Sequence, residues 1–386
     1  MRRPRPLWTC VVLLAGLAAG CNNETERIAA EARLVDQGRP IFRSDTFGDE
    51  AFWTDTLRIH EVVGSAVDPV TALSVGLKVD ADALPAGILQ TADLHSPATT
   101  VALLKMDAVV GLKGTVTSVD GRDMLTRLGI TCALCHSTVD NSVAPGIGHR
   151  LDGWPNRDLN PGAIVALSPA LSPDAKAVYR SWGPGRYDPR FNHDGKNGPV
   201  LIPPAYGLAG VTLATYTGDG DISYWNAYVA VTQMHGQGTF ADSRIGDDIR
   251  QSPDLVTSKL PALRAYQESL AAPPPPTGSF DSGAATRGRA LFAGRARCAT
   301  CHQGSTFTDD QLHAPAEVGM DPAYALRSAT RRYRTTPLRG LWQHAPYFHD
   351  GSAASLGAVV DHYDGLMKQG LGPDDKRDLL EFLKSL

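Results

Sequence analysis

At 386 residues the chain is long enough for two or three domains, and its 42% hydrophobic and 7% aromatic content belongs to a globular protein rather than a disordered one. A formal net charge of -4 excludes the basic footprint of nucleic-acid binding and leaves only a modest acidic balance, which a basic protein partner can read. Twenty-seven prolines and 38 glycines imply many loops, as expected where a rigid apolar group supplies part of the core.

Taken from the N-terminus, Arg2, Arg3 and Arg5 precede an apolar stretch from Trp8 to Gly20 that is too short to span a bilayer comfortably. The stretch ends in Leu17-Ala18-Ala19-Gly20 directly before Cys21, so residues 1–20 read as a lipoprotein signal peptide and Cys21 as the lipidated first residue of the mature chain. Ordinary signal cleavage, with Cys21 a stray thiol, is the plainer alternative. Either way the protein is exported, facing the periplasm of a bacterial envelope, with the membrane reached only through a lipid. Residues 21–30 read as a polar tether. No later segment is long and apolar enough to be a transmembrane helix.

Gly38-Arg39-Pro40-Ile41-Phe42 opens the first of two related halves, and a long insertion covering residues 43–120 follows it. Its amphipathic stretches, such as Val101 to Val110, and its aromatic run from Phe47 to Trp53 carry no chemical signature. Then comes Cys132-Ala133-Leu134-Cys135-His136, and the same pattern recurs as Cys298-Ala299-Thr300-Cys301-His302. On a helical turn, residues i, i+3 and i+4 share one face, so two thiols can form thioethers with the haem vinyls while the next imidazole lies beneath the iron. Cys-x-x-Cys-His is thus the attachment signature of c-type haem, with His136 and His302 as proximal iron ligands. A redox dithiol pair or a four-thiolate zinc site would explain the cysteines but not the histidine after each pair. Two covalently attached haem c groups are expected, and no cysteine is left for a disulfide.

Past each motif the halves correspond again. Pro204-Ala205-Tyr206-Gly207-Leu208 matches Pro337-Leu338-Arg339-Gly340-Leu341, and Tyr216-Thr217-Gly218-Asp219-Gly220 matches Tyr347-Phe348-His349-Asp350-Gly351. Helices are expected over 222–234 and 354–367, with closing helices of matching apolar spacing at Leu263, Tyr266, Leu270 and at Leu379, Phe382, Leu386. A helix begun near Asp281 or Ser282 leads through Gly288 and Phe292 into Cys298. Pro273 to Pro276 forms a stiff spacer. The reading is a mainly α chain of two tandem cytochrome c-like haem domains, 31–272 and 279–386, joined by a Pro-rich linker at 273–278, the first enlarged by insertions.

The sixth ligands have several candidates. For the first haem they are Met234, His235 and His149, the last in a glycine-rich loop. For the second, Leu356, Val359, Val360, Tyr363 and Met367 share one helical face, so Tyr363 leads, followed by His362 beside it and Met367 one turn on. His349 and Asp350 suit a haem edge or propionate. Trp154, Trp225 and Trp342 are candidates for an electron path between the haems, or simply large core residues.

With those residues in view, the chain resembles the bacterial dihaem cytochrome c peroxidase superfamily, which includes MauG-type enzymes and dihaem rubber oxygenases. Thr336-Pro337-Leu338-Arg339-Gly340-Leu341 followed by Ala345 to Ser352 is similar to that family's TPxLRN…APYFHDGS segment, and Gly146 to His149 with Trp154 is similar to its GHGW stretch. The resemblance implies two facing haems, the second receiving electrons and the first reducing hydrogen peroxide, and a tyrosine ligand at the place of Tyr363 in MauG-type enzymes. It also implies a glutamate before the first-domain methionine, where this chain has Gln233. An amide does not exchange a proton as a carboxylate does. Two functions therefore compete. One is electron transfer with a redox partner protein or small electron donor; the other is peroxide reduction or oxygen activation at the first haem, with His149 and Gln233 as candidate catalytic residues.

Overall fold

In the computed structural model the backbone is described for residues 11–386 and side chains from residue 24 onward. The signal segment's side chains, and that of Cys21, lie outside the described residues. Helices take 42% of the chain and strands 13%, in keeping with a mainly α protein. Among the described residues the strands form six separate two-stranded pairs rather than a continuous sheet.

Helix α1 (Val11–Ser44) runs straight through the expected tether and Gly38 to Phe42. Its C-terminal part packs on α6 (Leu260–Ser269), and Phe42 meets Tyr266 at a ring separation of 5.5 Å. A Cβ on Gly38 would fall 2.0 Å from the carbonyl oxygen of Ala262, so only glycine lets these two backbones cross. The C-terminal half repeats the arrangement. Helix α7 (Ser282–Ala293), capped by Asp281, crosses α9 (Pro373–Lys384) at Gly288, whose Cβ would fall 1.9 Å from the oxygen of Asp378. Phe292 meets Phe382 at 5.1 Å. The repeated Gly-x-x-x-Phe thus marks the same helix crossing twice.

The insertion folds into short helices and a hairpin. Helices α2 (Ile59–Ala66), α3 (Pro69–Ser74) and α4 (Pro97–Lys105) pack beside the antiparallel strands β1 (Leu112–Val119) and β2 (Arg122–Ile130). Asp68 caps α3 by accepting a hydrogen bond from the Thr71 amide at 2.7 Å. Trp53, Ile59, Val101, Leu104 and Leu128 form its core, which also takes in Leu134 of the first cysteine motif.

Where β2 leads into that motif, the Ile130 amide donates to the buried Asp49 carboxyl at 3.2 Å. Burial raises the Asp49 pKa to about 9, and the neighbouring Glu50 and Asp45 charges push the same way against the Ile130 hydrogen bond. Between the ordinary carboxylate range and about 9, the unfolded chain has lost this proton while the folded chain keeps it. Stability is therefore expected to fall as pH rises through that window. Asp49→Asn should flatten the slope, read as melting temperature against pH; an unchanged slope would refute the buried, protonated carboxyl.

The halves meet along a polar seam. Arg327 bonds Asp188 at 2.9 Å and Asp194 at 2.7 Å, the Leu201 amide donates to the His349 carbonyl at 2.8 Å, and the Arg334 amide donates to that of Tyr216 at 3.0 Å. The Trp342 indole donates to the carbonyl of Pro273 in the proline spacer at 3.2 Å.

Candidate haem site

The first cysteine motif forms one helical turn, Ala133–His136, directly after β2, and the second a tighter turn at Cys298–Thr300. In each, the histidine ring is pinned from behind. His136 Nδ1 donates to the Pro203 carbonyl at 3.0 Å, and His302 Nδ1 to that of Phe307 at 3.0 Å. This leaves Nε2 of each ring as the free ligating nitrogen. Burial holds His136 neutral by lowering its pKa to about 4 despite the opposing Pro203 bond, and His302 is lowered by burial in the same way. A neutral imidazole is the form that binds iron.

All four motif cysteines are unpaired. Burial lifts the Cys132 and Cys135 thiols to about 12 and that of Cys298 to about 11, the opposite of the shift a reactive dithiol needs. Among the described residues the four thiols do not form a cluster fit for zinc.

Both motifs open into one cavity of about 500 Å³ that runs between the halves. On its wall lie Arg157 and Arg334, whose buried side chains keep N–H groups without protein partners: Nε and Nη1 of Arg157 and Nε of Arg334. Burial penalises both charges and lowers the Arg334 pKa to about 10. A haem brings propionate carboxylates, the partners that such donors need. Cysteine pairs, neutral imidazoles and orphaned guanidiniums together fit covalent haem. When bound, the haem supplies reversible one-electron chemistry; the protein supplies ligands, burial and compensating charge.

On the first half's side of the cavity, helix α5 (Ile222–Tyr228) passes into a π-helical turn, Val229–Gln233, which delivers Gln233 and Met234 to the wall. The expected single helix over 222–234 thus changes pitch where its candidate residues sit, as π turns at functional sites do. Trp53 of the insertion fixes Met234 by donating to its carbonyl at 3.0 Å. Gln233 Oε1 accepts from the Tyr187 hydroxyl at 2.8 Å, and its amide donates to Thr232 Oγ1 at 2.9 Å. Burial drives the Tyr187 pKa well above its ordinary value, so the phenol keeps its proton.

Two histidines turn away from the cavity. His149 is a correction: it sits on the surface, 59% exposed, bonded to Asp82 at 2.8 Å. The antiparallel pairing of Ser137–Val139 with Arg150–Asp152 directs its loop outward, so it serves neither as ligand nor as proton carrier. His235 stacks on Phe52 with ring centroids 3.6 Å apart and lies outside the lining.

In the second half, helix α8 (Leu356–Met367) is capped by Ser355 and presents Leu356, Val359, Val360, Tyr363 and Met367 to the cavity. His362 faces elsewhere, with Nε2 bonded to the Val318 carbonyl at 2.9 Å. Tyr363 lies close enough to the second motif that the Cys301 and Cys298 thiols add to the burial raising its pKa to about 12. His349 is on the wall, 3.1 Å from the Tyr333 hydroxyl. Asp350 lies outside the lining and accepts from the Ser352 amide at 3.0 Å. Between the halves Trp154 meets Trp342 edge-on at 5.7 Å, while Tyr206 hydrogen-bonds His344 at 2.9 Å. Trp225 lines the cavity with its indole N–H unpartnered.

Arg157, Arg334, Tyr187 and the Pro203 carbonyl escape sequence reasoning. Their partners lie far along the chain or belong to the cofactor, so no local spacing announces them.

These features define a c-type haem protein. A sequence family described as RoxA-like, cytochrome c-like matches residues 332–364. The methylamine utilization protein MauG of Methylorubrum extorquens is 38% identical over 120 residues, covering 26% of this chain and 34% of MauG. The cytochrome-c peroxidase IdrP1 of a Pseudomonas species is 29% identical over 147 residues, covering 26% of this chain and 39% of IdrP1. A solved MauG-like protein associated with microbial copper homeostasis aligns at TM-score 0.34 and 21% identity over 50% of this chain and 74% of its own. In these stretches the chain is similar to proteins of the dihaem cytochrome c peroxidase/MauG superfamily. It spans between 34% and 45% of the length of the MauG proteins it matches. Among the described residues, no helix is long and apolar enough to cross a membrane.

Proposed function

We propose that the chain is an exported dihaem c-type cytochrome that passes electrons through two covalently bound haems. In this reading two tandem cytochrome c-like domains, 31–272 and 279–386, each hold one haem. The carrying observation is that both Cys-x-x-Cys-His turns, each with a buried, back-bonded imidazole, face one shared cavity. Met234 and Tyr363, both on its wall, are the distal ligands this reading favours. A redox protein or small donor exchanges electrons with the chain, and Cys21 carries the lipid that holds it to the envelope.

A second reading, peroxide reduction at the first haem with electrons relayed by the second, has one supporting observation. The proton-bearing Tyr187 hydroxyl is hydrogen-bonded to Gln233 on the cavity wall. The Gln233 amide itself moves no proton.

The haem content of purified protein should be two per chain by pyridine haemochrome, falling to one in Cys301→Ala. EPR of the oxidised and half-reduced protein should show low-spin haem with weak peroxide turnover. A high-spin signal whose peroxide response vanishes in Tyr187→Phe would establish the enzyme instead. Cys21→Ser should move the protein from membrane to soluble fractions, and unchanged membrane association would overturn the anchor.

A further inference from the structure

The wall of the main cavity extends well beyond the two cysteine motifs into the insertion. Ile59 and Val63 of α2, Pro69 and Leu73 of α3, and Leu103 and Leu104 of α4 all line it. Cys135 packs against the same hydrophobic cluster, so this apolar lobe is continuous with the first haem site. Its lining between residues 53 and 112 includes no charged side chain. The hydroxyl of Thr100 is buried there with no hydrogen-bond partner.

A second cavity of about 30 Å³ adjoins this lobe and shares Val79 and Leu103 with it. Its wall reaches Leu94, which is 37% exposed, beside the turn that carries Ile88 and Leu89. The small cavity and the large lobe thus share a wall at Val79 and Leu103, and the lobe continues to Cys135.

We propose that the insertion builds an antechamber, entered near Leu94, that admits a small uncharged apolar molecule to the first haem site. Charged and strongly polar molecules lose hydration along this route without recovering it, whereas an apolar guest gains by leaving water. Thr100 offers a guest one hydrogen bond. Val79 and Leu103 form the constriction between the two spaces. The proposal rests on a haem at Cys132–His136 but not on whether that haem reacts or only relays electrons.

Xenon is the probe, because a dry apolar cavity binds it without regard to iron chemistry. Titrating the haem-loaded protein against dissolved xenon and following the xenon NMR shift should show saturable binding. Leu103→Phe and Val79→Phe, each checked for unchanged haem absorption, should weaken that binding by about tenfold or more. Surface Val119→Phe should leave it unchanged. If the wild type shows no saturable shift, or if both constriction variants bind xenon as the wild type does, the antechamber is refuted. Failure of the electron-carrier reading would instead appear as a high-spin, peroxide-responsive EPR signal, which xenon binding does not report.

Discussion

Asp219→Ala is expected to cost about 3–5 kcal/mol of stability, the penalty for leaving a buried charge without its partner. That charge is the guanidinium of Arg190, which is wholly buried and ion-paired with the equally buried Asp219. Arg190 lies over the rings of Trp225 at 5.3 Å and Tyr228 at 5.2 Å, contacts that help but cannot replace an anion. Burial works against its charge, while Tyr324 and Asp219 raise its pKa, leaving a cation at every accessible pH. Asp219 also accepts from the Thr330 amide of the second half at 3.1 Å. Denaturant unfolding of the haem-loaded protein measures the loss. Replacing both partners with apolar residues, as in Arg190→Met with Asp219→Leu, should recover most of it. A single-variant loss below about 1 kcal/mol would mean that the pair is not buried as described.

Gly38→Ala and Gly288→Ala test the two helix crossings, and the sign of the effect decides. Within a helix, alanine is favoured over glycine by about 1 kcal/mol, so propensity alone makes both substitutions stabilising. The added methyl would instead stand 2.0 Å from the Ala262 oxygen and 1.9 Å from that of Asp378, distances that force the helices apart. A cost of about 3 kcal/mol each is expected, the upper part of the range for overpacking. Because Phe42 and Phe292 sit one helical turn beyond these glycines, haem retention should fall in the affected half. Thermal melts followed at the haem absorption band read both effects. A stabilised alanine variant would refute the close crossing.

Covalent chemistry makes the expected haem attachment legible, since thioether formation fixes the cysteine and histidine spacing within five residues. Periodicity revealed the cavity face of α8: the steps from Leu356 to Met367 already separate Tyr363 from His362. The glycine–phenylalanine repeat marked the two related halves, and only the packing shows that it stands at both helix crossings. His149 misled because nearness to the motif in sequence suggested nearness in space, whereas a short antiparallel pair turns its loop outward and Asp82 holds it there. The insertion was opaque for another reason. Its helices are short, its apolar residues converge from segments far apart in sequence, and no reactive group marks the space they enclose. Arg157 and Arg334 were hidden because their N–H groups await a partner absent from the polypeptide.

The Arg327 fork fastens the C-terminal half to Asp188 and Asp194 with a side chain only 7% exposed, and three buried or half-buried charges meet at one point. A seam clamped in this way resists separation of the two halves at that point. If the chain relays electrons as proposed, exchange across such a seam would need no hinge to swing and no encounter between the halves. On that reading the rate is expected to be indifferent to solvent viscosity, whereas exchange with an outside donor would remain limited by collision.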